Sequence, residues 1–279
     1  MLCNSVPPDT ARPGHDGGVL FGGLSPRRRA LLTGIAALAA VGLVLAGFGV
    51  VRQVLKALPP ADRPGSVVMV PGFGGGIGSL DGLAARIRAT GRDVRVVALP
   101  DGGVGSLNAQ AAVVDTYVAE ALRGGAPSVD VIGYSAGGVV ARLWVQEYGG
   151  QRKARRVVTL GSPHHGASIA AVGAAGLPGA CPVACQQLAP GSQLLQGLSV
   201  PVPVPPVWLS VWTVDDETVT PPESARLEGA INVAVQSLCP RLRLSHSQLP
   251  TDGFVTGLVL RAIGEAALTA PQNVSCVSS

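Results

Sequence analysis

Two patterns of hydrophobic and polar positions alternate from about residue 66 onward. Short apolar runs typical of buried strands occur at residues 67–70, 94–99, 129–132, 157–160, 209–213 and 231–235. Between them lie segments whose apolar residues recur every three or four positions, as on one face of a helix. Strands that alternate with helices predict a mostly parallel sheet with helices on both faces.

The apolar faces also locate the helices of this pattern. The first helix presents Leu80, Leu83, Ala84 and Ile87 on one side, and Ser79 is positioned to cap it. Later helices are expected over residues 139–148 and from about residue 252 to 268. The helix between the second and third strands is expected to face inward with Val113, Val114, Tyr117, Val118 and Ala121.

An uncharged, largely apolar run covers residues 30–51 and directly follows the arginines at 27–29. The run is long enough to span a bilayer, and the arginines orient its N-terminus toward the cytoplasm. Residues 28–32 also fit a loose twin-arginine export pattern, with small residues suited to cleavage after Ala46. We expect a disordered segment at 1–26, a signal peptide or membrane anchor at 27–52 and a linker at 53–65. A buried core helix is the alternative for the apolar run.

The positive charge of the chain is confined to its N-terminal part. The 279 residues carry a formal net charge of +4, residues 1–63 account for all of it, and residues 64–279 are balanced. The basic isoelectric point therefore describes the N-terminal segment and not a surface for DNA or RNA. We expect no nucleic-acid partner.

Cysteine usage agrees with an extracytoplasmic domain. Cys3 precedes the apolar run, and the four other cysteines follow it, where an oxidising compartment allows disulfides. Four cysteines allow three pairings. We favour Cys181–Cys185 with Cys239–Cys276, because the first pair closes a local loop. No histidine stands at ligand spacing from these cysteines, so we expect no metal ion.

The segment Gly133-Tyr134-Ser135-Ala136-Gly137-Gly138 carries the most specific chemical signal. An apolar strand precedes it and a helical pattern follows it. A serine between two glycines at such a corner matches the nucleophile elbow of α/β-hydrolases. Glycines at 133 and 137 avoid side chains that would collide within this tight turn. An ordinary Gly-Ser turn is the alternative, so Ser135 needs a base, an acid and an oxyanion hole.

A serine hydroxyl is a weak nucleophile and needs a neighbouring base. After residue 15 the histidines are His164, His165 and His246. In this fold the chain order is serine, acid and then histidine. His246 is the predicted base, because it follows the strand at 231–235 and precedes the last helix.

The acid is expected directly after the strand at 209–213, where Asp215, Asp216 and Glu217 stand. We choose Asp216, because residues 216–221 have the D-x-x-V-x-P form common after this strand in serine hydrolases. Asp215 is the second choice. The remaining carboxylates, including Asp130, are interpreted as solvated or edge charges.

An oxyanion hole needs two backbone N–H groups. Ala136 supplies one at the N-terminus of its helix. The second is expected from Phe73 in the glycine-rich loop at 71–76. A phosphate-binding role for this loop fails on spacing, since Ile77 stands where a dinucleotide fingerprint needs glycine and no P-loop lysine follows. We expect no cofactor.

Three segments together resemble small secreted bacterial triacylglycerol lipases and esterases. They are Val-Val-Met-Val-Pro-Gly-Phe-Gly-Gly at 67–75, Val-Asp-Val-Ile-Gly-Tyr-Ser-Ala-Gly-Gly at 129–138 and Thr-Leu-Gly-Ser-Pro-His-His-Gly at 159–166. The resemblance covers about residues 66–268. It implies an α/β-hydrolase fold, with the oxyanion donors Phe73 and Ala136 and the triad Ser135, Asp216 and His246.

The first of these motifs departs from the family pattern, because Pro71 replaces a usual histidine. In the family, the histidine side chain usually supports the loop. Its replacement by proline therefore bears on loop geometry more than on catalysis. His164 and His165 match a motif that lies near the site without supplying the base. We interpret both as structural residues.

We expect one α/β-hydrolase domain at 66–270 and a tail at 271–279. Residues 162–206 interrupt the alternation with an Ala/Gly-rich apolar piece and two cysteines. They predict a cap-like insertion that faces the substrate, with a disordered loop as the alternative. The predicted function is a monomeric serine carboxylester hydrolase that acts on acyl esters, lipids in particular. An acyltransferase with the same triad, or a non-catalytic envelope protein on this fold, is the alternative.

Overall fold

The computed structural model describes residues 25–56, 63–175, 181–198, 200–272 and 274–276. The chain divides into two units, Met1–Leu55 and Lys56–Ser279. Residues 1–24, which include Cys3 and most of the segment 1–26 predicted to be disordered, lie outside the described residues. Residues 57–62 of the predicted linker lie outside them as well.

The first unit contains nearly all of helix α1 (Pro26–Lys56). Its segment Pro26–Val50 is long and apolar enough to cross a membrane, and none of that segment is buried. Signal sequences share these properties, so α1 agrees with either export interpretation. The helix extends to Lys56 and so includes residues 53–56, which were assigned to the predicted linker.

Within the described residues, the second unit contains a six-stranded sheet. Its strands are β1 (Ser66–Val70), β2 (Val94–Val96), β3 (Val129–Tyr134), β4 (Ala154–Leu160), β5 (Val207–Trp212) and β6 (Ile231–Ala234). The order is β2-β1-β3-β4-β5-β6 and every neighbouring pair is parallel. This confirms the predicted parallel α/β architecture.

Helices connect the strands and cover both faces of the sheet. They are α2 (Asp81–Arg88), α3 (Leu107–Arg123), α4 (Ala136–Glu147), α5 (Ser168–Ala175), α6 (Val183–Gln187), α7 (Gln193–Gln196), α8 (Val235–Leu238) and α9 (Gly253–Ala262). Helices α5, α6 and α7 all lie in the predicted insertion at 162–206.

The strands are buried on both faces, which explains why they read as continuous apolar runs. In β1, Val68 and Val70 join a core with α3 and α4. The alternate residues Val67 and Met69 join a second core with α2 and α9. The same alternation continues through β3 and β4, so the sheet separates two hydrophobic layers.

Two local predictions at the first strands were wrong. Ser79 does not cap α2: its hydroxyl donates to the Gly76 carbonyl at 2.7 Å, because a 3₁₀ turn at Ile77–Leu80 precedes the helix. Strand β2 is shorter than predicted. The Ala98 N–H donates to the Tyr117 hydroxyl at 3.2 Å instead of to a neighbouring strand.

The last helix also ends earlier than the predicted residue 268. Asp252 caps its start by accepting the Val255 N–H at 3.0 Å. At its other end, Arg92 donates to the Ile263 carbonyl at 2.8 Å and Arg155 donates to the Gly264 carbonyl at 2.7 Å. These guanidinium groups satisfy carbonyls that a longer helix would have bonded internally.

The interpretation of Asp130 as a solvated or edge charge was wrong. Asp130 is fully buried in β3. Its carboxylate accepts Arg92 Nη2 at 2.6 Å and Arg155 Nη2 at 2.7 Å, together with Arg155 Nε at 3.0 Å. Because the same arginines bond the end of α9, this carboxylate links the sheet to the last helix.

Both favoured disulfides are present. Cys181 bonds Cys185, and Cys239 bonds Cys276. The first joins two residues of the insertion at 162–206. The second attaches the described part of the tail to the segment after α8.

Replacing Asp130 with Asn should lower the free energy of unfolding by about 3–5 kcal/mol, because Arg92 and Arg155 lose the buried carboxylate they share. The matched control is Glu120→Gln, which removes an exposed ion pair with Arg95 at 3.5 Å. This control should cost less than about 1 kcal/mol. Urea unfolding followed by circular dichroism measures both values. Equal losses in the two variants would contradict the assigned role of Asp130.

Candidate active site

The predicted site residues lie at the carboxyl edge of the parallel sheet, where ligands bind in open α/β folds. Ser135 directly follows β3, and the glycine-rich loop follows β1. Asp216 follows β5, and His246 lies in the loop between α8 and α9. Four separate segments therefore meet at one edge.

Ser135 occupies a strained turn. Its φ is +53°, and Asp101 is the other non-glycine residue with positive φ in the described part of the chain. A side chain at position 133 would bring its Cβ within 2.5 Å of Gly138 Cα, and one at position 137 would overlap the Val70 carbonyl oxygen. Glycine is therefore required on both sides of the serine, as the elbow pattern predicts.

The Ser135, His246 and Asp216 side chains form a continuous hydrogen-bonded series. Ser135 Oγ lies 2.9 Å from His246 Nε2, and Asp216 Oδ2 lies 2.7 Å from His246 Nδ1. His246 and Asp216 are buried, whereas Ser135 is half-buried. In the tautomer with hydrogen on Nδ1, the imidazole donates to the carboxylate and Nε2 accepts the serine proton.

The structure distinguishes among the three candidate acids. Asp216 Oδ1 accepts the N–H groups of Thr218 at 3.0 Å and Val219 at 2.7 Å, which fixes the carboxylate toward His246. Asp215 instead faces solvent and lies 3.6 Å from Arg243. Glu217 accepts the backbone N–H of His246 at 3.0 Å and so supports the histidine loop.

Gly161, which the sequence reasoning did not assign, lies directly under the His246–Asp216 pair. It has φ of +55° and directly follows β4. A Cβ at this position would lie 3.1 Å from His246 Nδ1 and 3.2 Å from Asp216 Oδ2, and closer still to Leu249. The signal available in the sequence was a glycine directly after β4, the strand beside β3, which Ser135 follows.

Tyr134 was also missed as a support for the histidine. Its hydroxyl donates to the His246 carbonyl at 3.3 Å, and the two rings are 5.2 Å apart at an angle of 31°. Burial, together with smaller contributions from the charges of Asp216 and Glu217, raises the pKa of Tyr134 to about 12. Tyr134 therefore stays protonated and keeps donating this hydrogen bond.

The two expected oxyanion donors border the serine. Ala136 is the first residue of α4, where backbone N–H groups have no partner within the helix. Among the residues that the structure describes, the Phe73 N–H bonds no protein acceptor. A Cβ at Gly72 would lie 2.9 Å from Ser135 Cβ, so this loop packs directly on Ser135. The change to Pro71 leaves that close approach intact.

An apolar cleft of about 210 Å³ opens beside Ser135. Residues 163–188 supply much of its wall. The apolar lining includes Phe73, Pro163, Ile169, Ala170, Leu188 and Val219. A larger cavity of about 530 Å³ lies beside α4 and α6 and includes none of the candidate catalytic groups. The smaller cleft is the one of these two that includes Ser135.

His164 and His165 do not join the series on Ser135. His164 is buried with Nε2 at 3.1 Å from Thr159 Oγ1. Burial lowers the pKa of His164 well below the usual 6.5, with smaller contributions from Arg142 and His165. It is therefore neutral at physiological pH. His165 Nε2 lies 3.0 Å from the Arg226 carbonyl.

In the described ranges, no three His, Cys, Asp or Glu side chains are grouped so that they could hold a metal ion.

Comparisons with known proteins agree with this fold. Residues 66–196, slightly less than half of the chain, match the family model of palmitoyl protein thioesterase. A search of curated protein sequences found no match. The family match includes β1, the elbow and the insertion up to α7, but not the segments that carry Asp216 and His246.

Solved lipase structures are similar over most of the domain. Lipase B of Aspergillus fumigatus is 14% identical with a TM-score of 0.60, over 73% of this chain and 54% of that chain. The chain thus spans about half the length of this fungal lipase. The mature lipase BlEst2 of Bacillus licheniformis is 18% identical with a TM-score of 0.57, over 73% of this chain and 92% of that chain. The chain therefore shares the fold of these lipases.

Replacing Gly161 with Ala should lower kcat for an activated ester by about 10- to 100-fold with little change in KM, because the new Cβ displaces His246 and Asp216. The control is Gly191→Ala. Gly191 has φ of +73°, but a Cβ there meets nothing within 4 Å. Steady-state hydrolysis of p-nitrophenyl acetate measures both variants. A Gly161→Ala enzyme as active as Gly191→Ala would contradict the assigned role.

Proposed function

We propose that this protein is a serine carboxylester hydrolase of lipase type, with Ser135 as nucleophile, His246 as base and Asp216 as the orienting acid. The observation that carries the proposal is the hydrogen-bonded series from Asp216 through His246 to Ser135 beside an apolar cleft. A serine, a histidine and a carboxylate in this order define the reaction class of acyl transfer.

The reaction begins when Ser135 Oγ attacks the ester carbonyl carbon and His246 Nε2 takes the hydroxyl proton. The carbonyl oxygen becomes an oxyanion and accepts the N–H groups of Phe73 and Ala136. The bond to the alcohol oxygen then breaks as His246 returns the proton to it, which leaves an acyl group on Ser135. Water repeats the sequence with His246 as base and releases the acid. Asp216 holds the imidazole and stabilises its charged form.

The substrate is an ester whose acyl chain occupies the apolar cleft. Ile169, Ala170 and Leu188 offer this chain alkyl contacts without polar groups. A lipid ester fits such a lining, since burial of methylene groups is favourable. The family model matched at 66–196 is named for a thioesterase, so an acyl thioester is a second candidate substrate. The same nucleophile serves both, with sulfur in place of oxygen as the leaving atom.

We also propose that the domain works outside the cytoplasm. The apolar run at residues 30–51 of helix α1 follows three arginines, as it does in signal peptides and membrane anchors. The two disulfides of the hydrolase domain suit an oxidising compartment. An uncleaved α1 would attach the enzyme to the membrane.

Full-length protein in mild detergent should hydrolyse p-nitrophenyl butyrate and octanoate, and Ser135→Ala should lower kcat by about 10³-fold or more. Asp216→Asn should cause a comparable loss, because the imidazole then adopts the wrong tautomer. Its matched control is Asp215→Asn, which should stay close to wild type. Undiminished hydrolysis by Ser135→Ala would refute the proposal.

The same assay separates hydrolysis from acyl transfer and esters from thioesters. Added glycerol or methanol would yield a new ester as the main product of an acyltransferase, whereas a hydrolase yields mostly free acid. The values of kcat/KM for an octanoyl ester and for an octanoyl thioester are then compared. The larger value identifies the preferred leaving atom.

A further inference from the structure

The disulfide Cys181–Cys185 lies against the acyl cleft. Cys185 is the third residue of α6 and lines the cleft together with Leu188. Cys181 is buried behind it. Both sulfur atoms lie 3.9 Å from the carbonyl oxygen of Ala170 in α5. The disulfide therefore lies between α6 and α5, and both helices contribute residues to the wall of the cleft.

Helix α5 packs directly on this disulfide. A Cβ at Gly173 would lie 3.1 Å from Cys185 Sγ and 3.6 Å from Cys181 Sγ. Contacts this close to a first side-chain atom are tight, so glycine allows the helix to rest on the sulfur atoms. Helix α6 is the element against which α5 packs most extensively.

Backbone hydrogen bonds to other segments are described just before α5 and at its first residue. The Ala167 N–H donates to the Leu188 carbonyl at 3.0 Å, and the Ser168 N–H donates to the Thr220 carbonyl at 2.8 Å. One turn further on, Ala170 and Gly173 meet the disulfide. Hydrogen bonds thus hold the first residues of α5, and the disulfide supports the turn that follows.

The same turn faces the substrate cleft. Ile169 and Ala170 both line it, and Ile169 is 63% exposed at its rim. The position of α5 therefore decides how well this wall contacts an acyl chain. An acetyl group ends close to Ser135, whereas a longer chain must lie along the wall.

We propose that the Cys181–Cys185 disulfide is a specificity-determining element that holds α5 in place, so that the enzyme favours medium-length acyl chains over acetyl. This inference rests on the proposed esterase function. With the bond open, α5 loses its support at Gly173. The wall then contacts the acyl chain less closely and the advantage of the longer chain falls.

The test is the ratio of kcat/KM for p-nitrophenyl octanoate to that for p-nitrophenyl acetate, measured on the full-length protein. The double variant Cys181→Ala/Cys185→Ala should lower this ratio by about tenfold. The matched control is Cys239→Ala/Cys276→Ala, which removes the disulfide distant from the cleft lining. It should leave the ratio within about twofold of wild type.

Chemical reduction tests the effect of the disulfide bond separately from the effect of the two sulfur atoms. In the control variant Cys239→Ala/Cys276→Ala the remaining disulfide is Cys181–Cys185, and a phosphine converts it to two thiols. The ratio should fall on reduction, although both sulfur atoms stay in the protein. The same phosphine should leave the ratio of Cys181→Ala/Cys185→Ala unchanged.

Gly173→Ala supplies an independent variant that keeps both cysteines. It should lower the ratio in the wild-type background, because its Cβ presses on Cys185 Sγ. It should have a smaller effect in Cys181→Ala/Cys185→Ala, where the sulfur is absent. Circular dichroism shows whether the double cysteine variant folds. If it does not, the comparison of Gly173→Ala with wild type and the reduction experiment test the proposed role of the disulfide.

An unchanged ratio after reduction, or an equal effect of Gly173→Ala in both backgrounds, would overturn the inference. Either result would leave the proposed function intact, provided hydrolysis still depends on Ser135. Hydrolysis that does not depend on Ser135 would instead remove the proposed function and this inference with it.

Discussion

The strained turn at Ser135 is the constraint on which the rest of the site depends. Holding a serine at φ of +53° costs about 1–3 kcal/mol and requires support from the surrounding structure. The support is close backbone packing: Gly133 lies against Gly138, Gly137 lies against the end of β1, and Gly72 contacts the serine itself. This packing presents the hydroxyl above the sheet edge and brings the expected oxyanion loop beside it.

Contacts at both ends of the strands connect this arrangement to the rest of the domain. At the carboxyl edge, the segments after β1, β3, β4 and β5 converge, and Gly161 lets His246 and Asp216 lie close to the end of β4. At the amino edge, Asp130 and its two arginines connect β3 to the end of α9. The last helix begins soon after the loop that carries His246.

Much of this architecture follows from short-range patterns. The apolar runs identified all six strands, and Asp216 stood out because its pattern directly follows β5. Features that depend on distant partners did not follow. Asp130 reads as an isolated charge until Arg92 and Arg155 meet it, and the end of α9 depends on the same arginines. Gly161 and Tyr134 support a histidine far along the chain, so their local sequence did not indicate which residue they support.

The most direct test of the account is to trap the covalent intermediate. Full-length protein mixed with p-nitrophenyl octanoate is quenched in acid within milliseconds to seconds, digested, and analysed by peptide mass spectrometry. We expect one octanoyl group, attached to Ser135 and absent from Ser135→Ala. Ester cleavage with the acyl group on a different residue, while Ser135 stays unmodified, would contradict it.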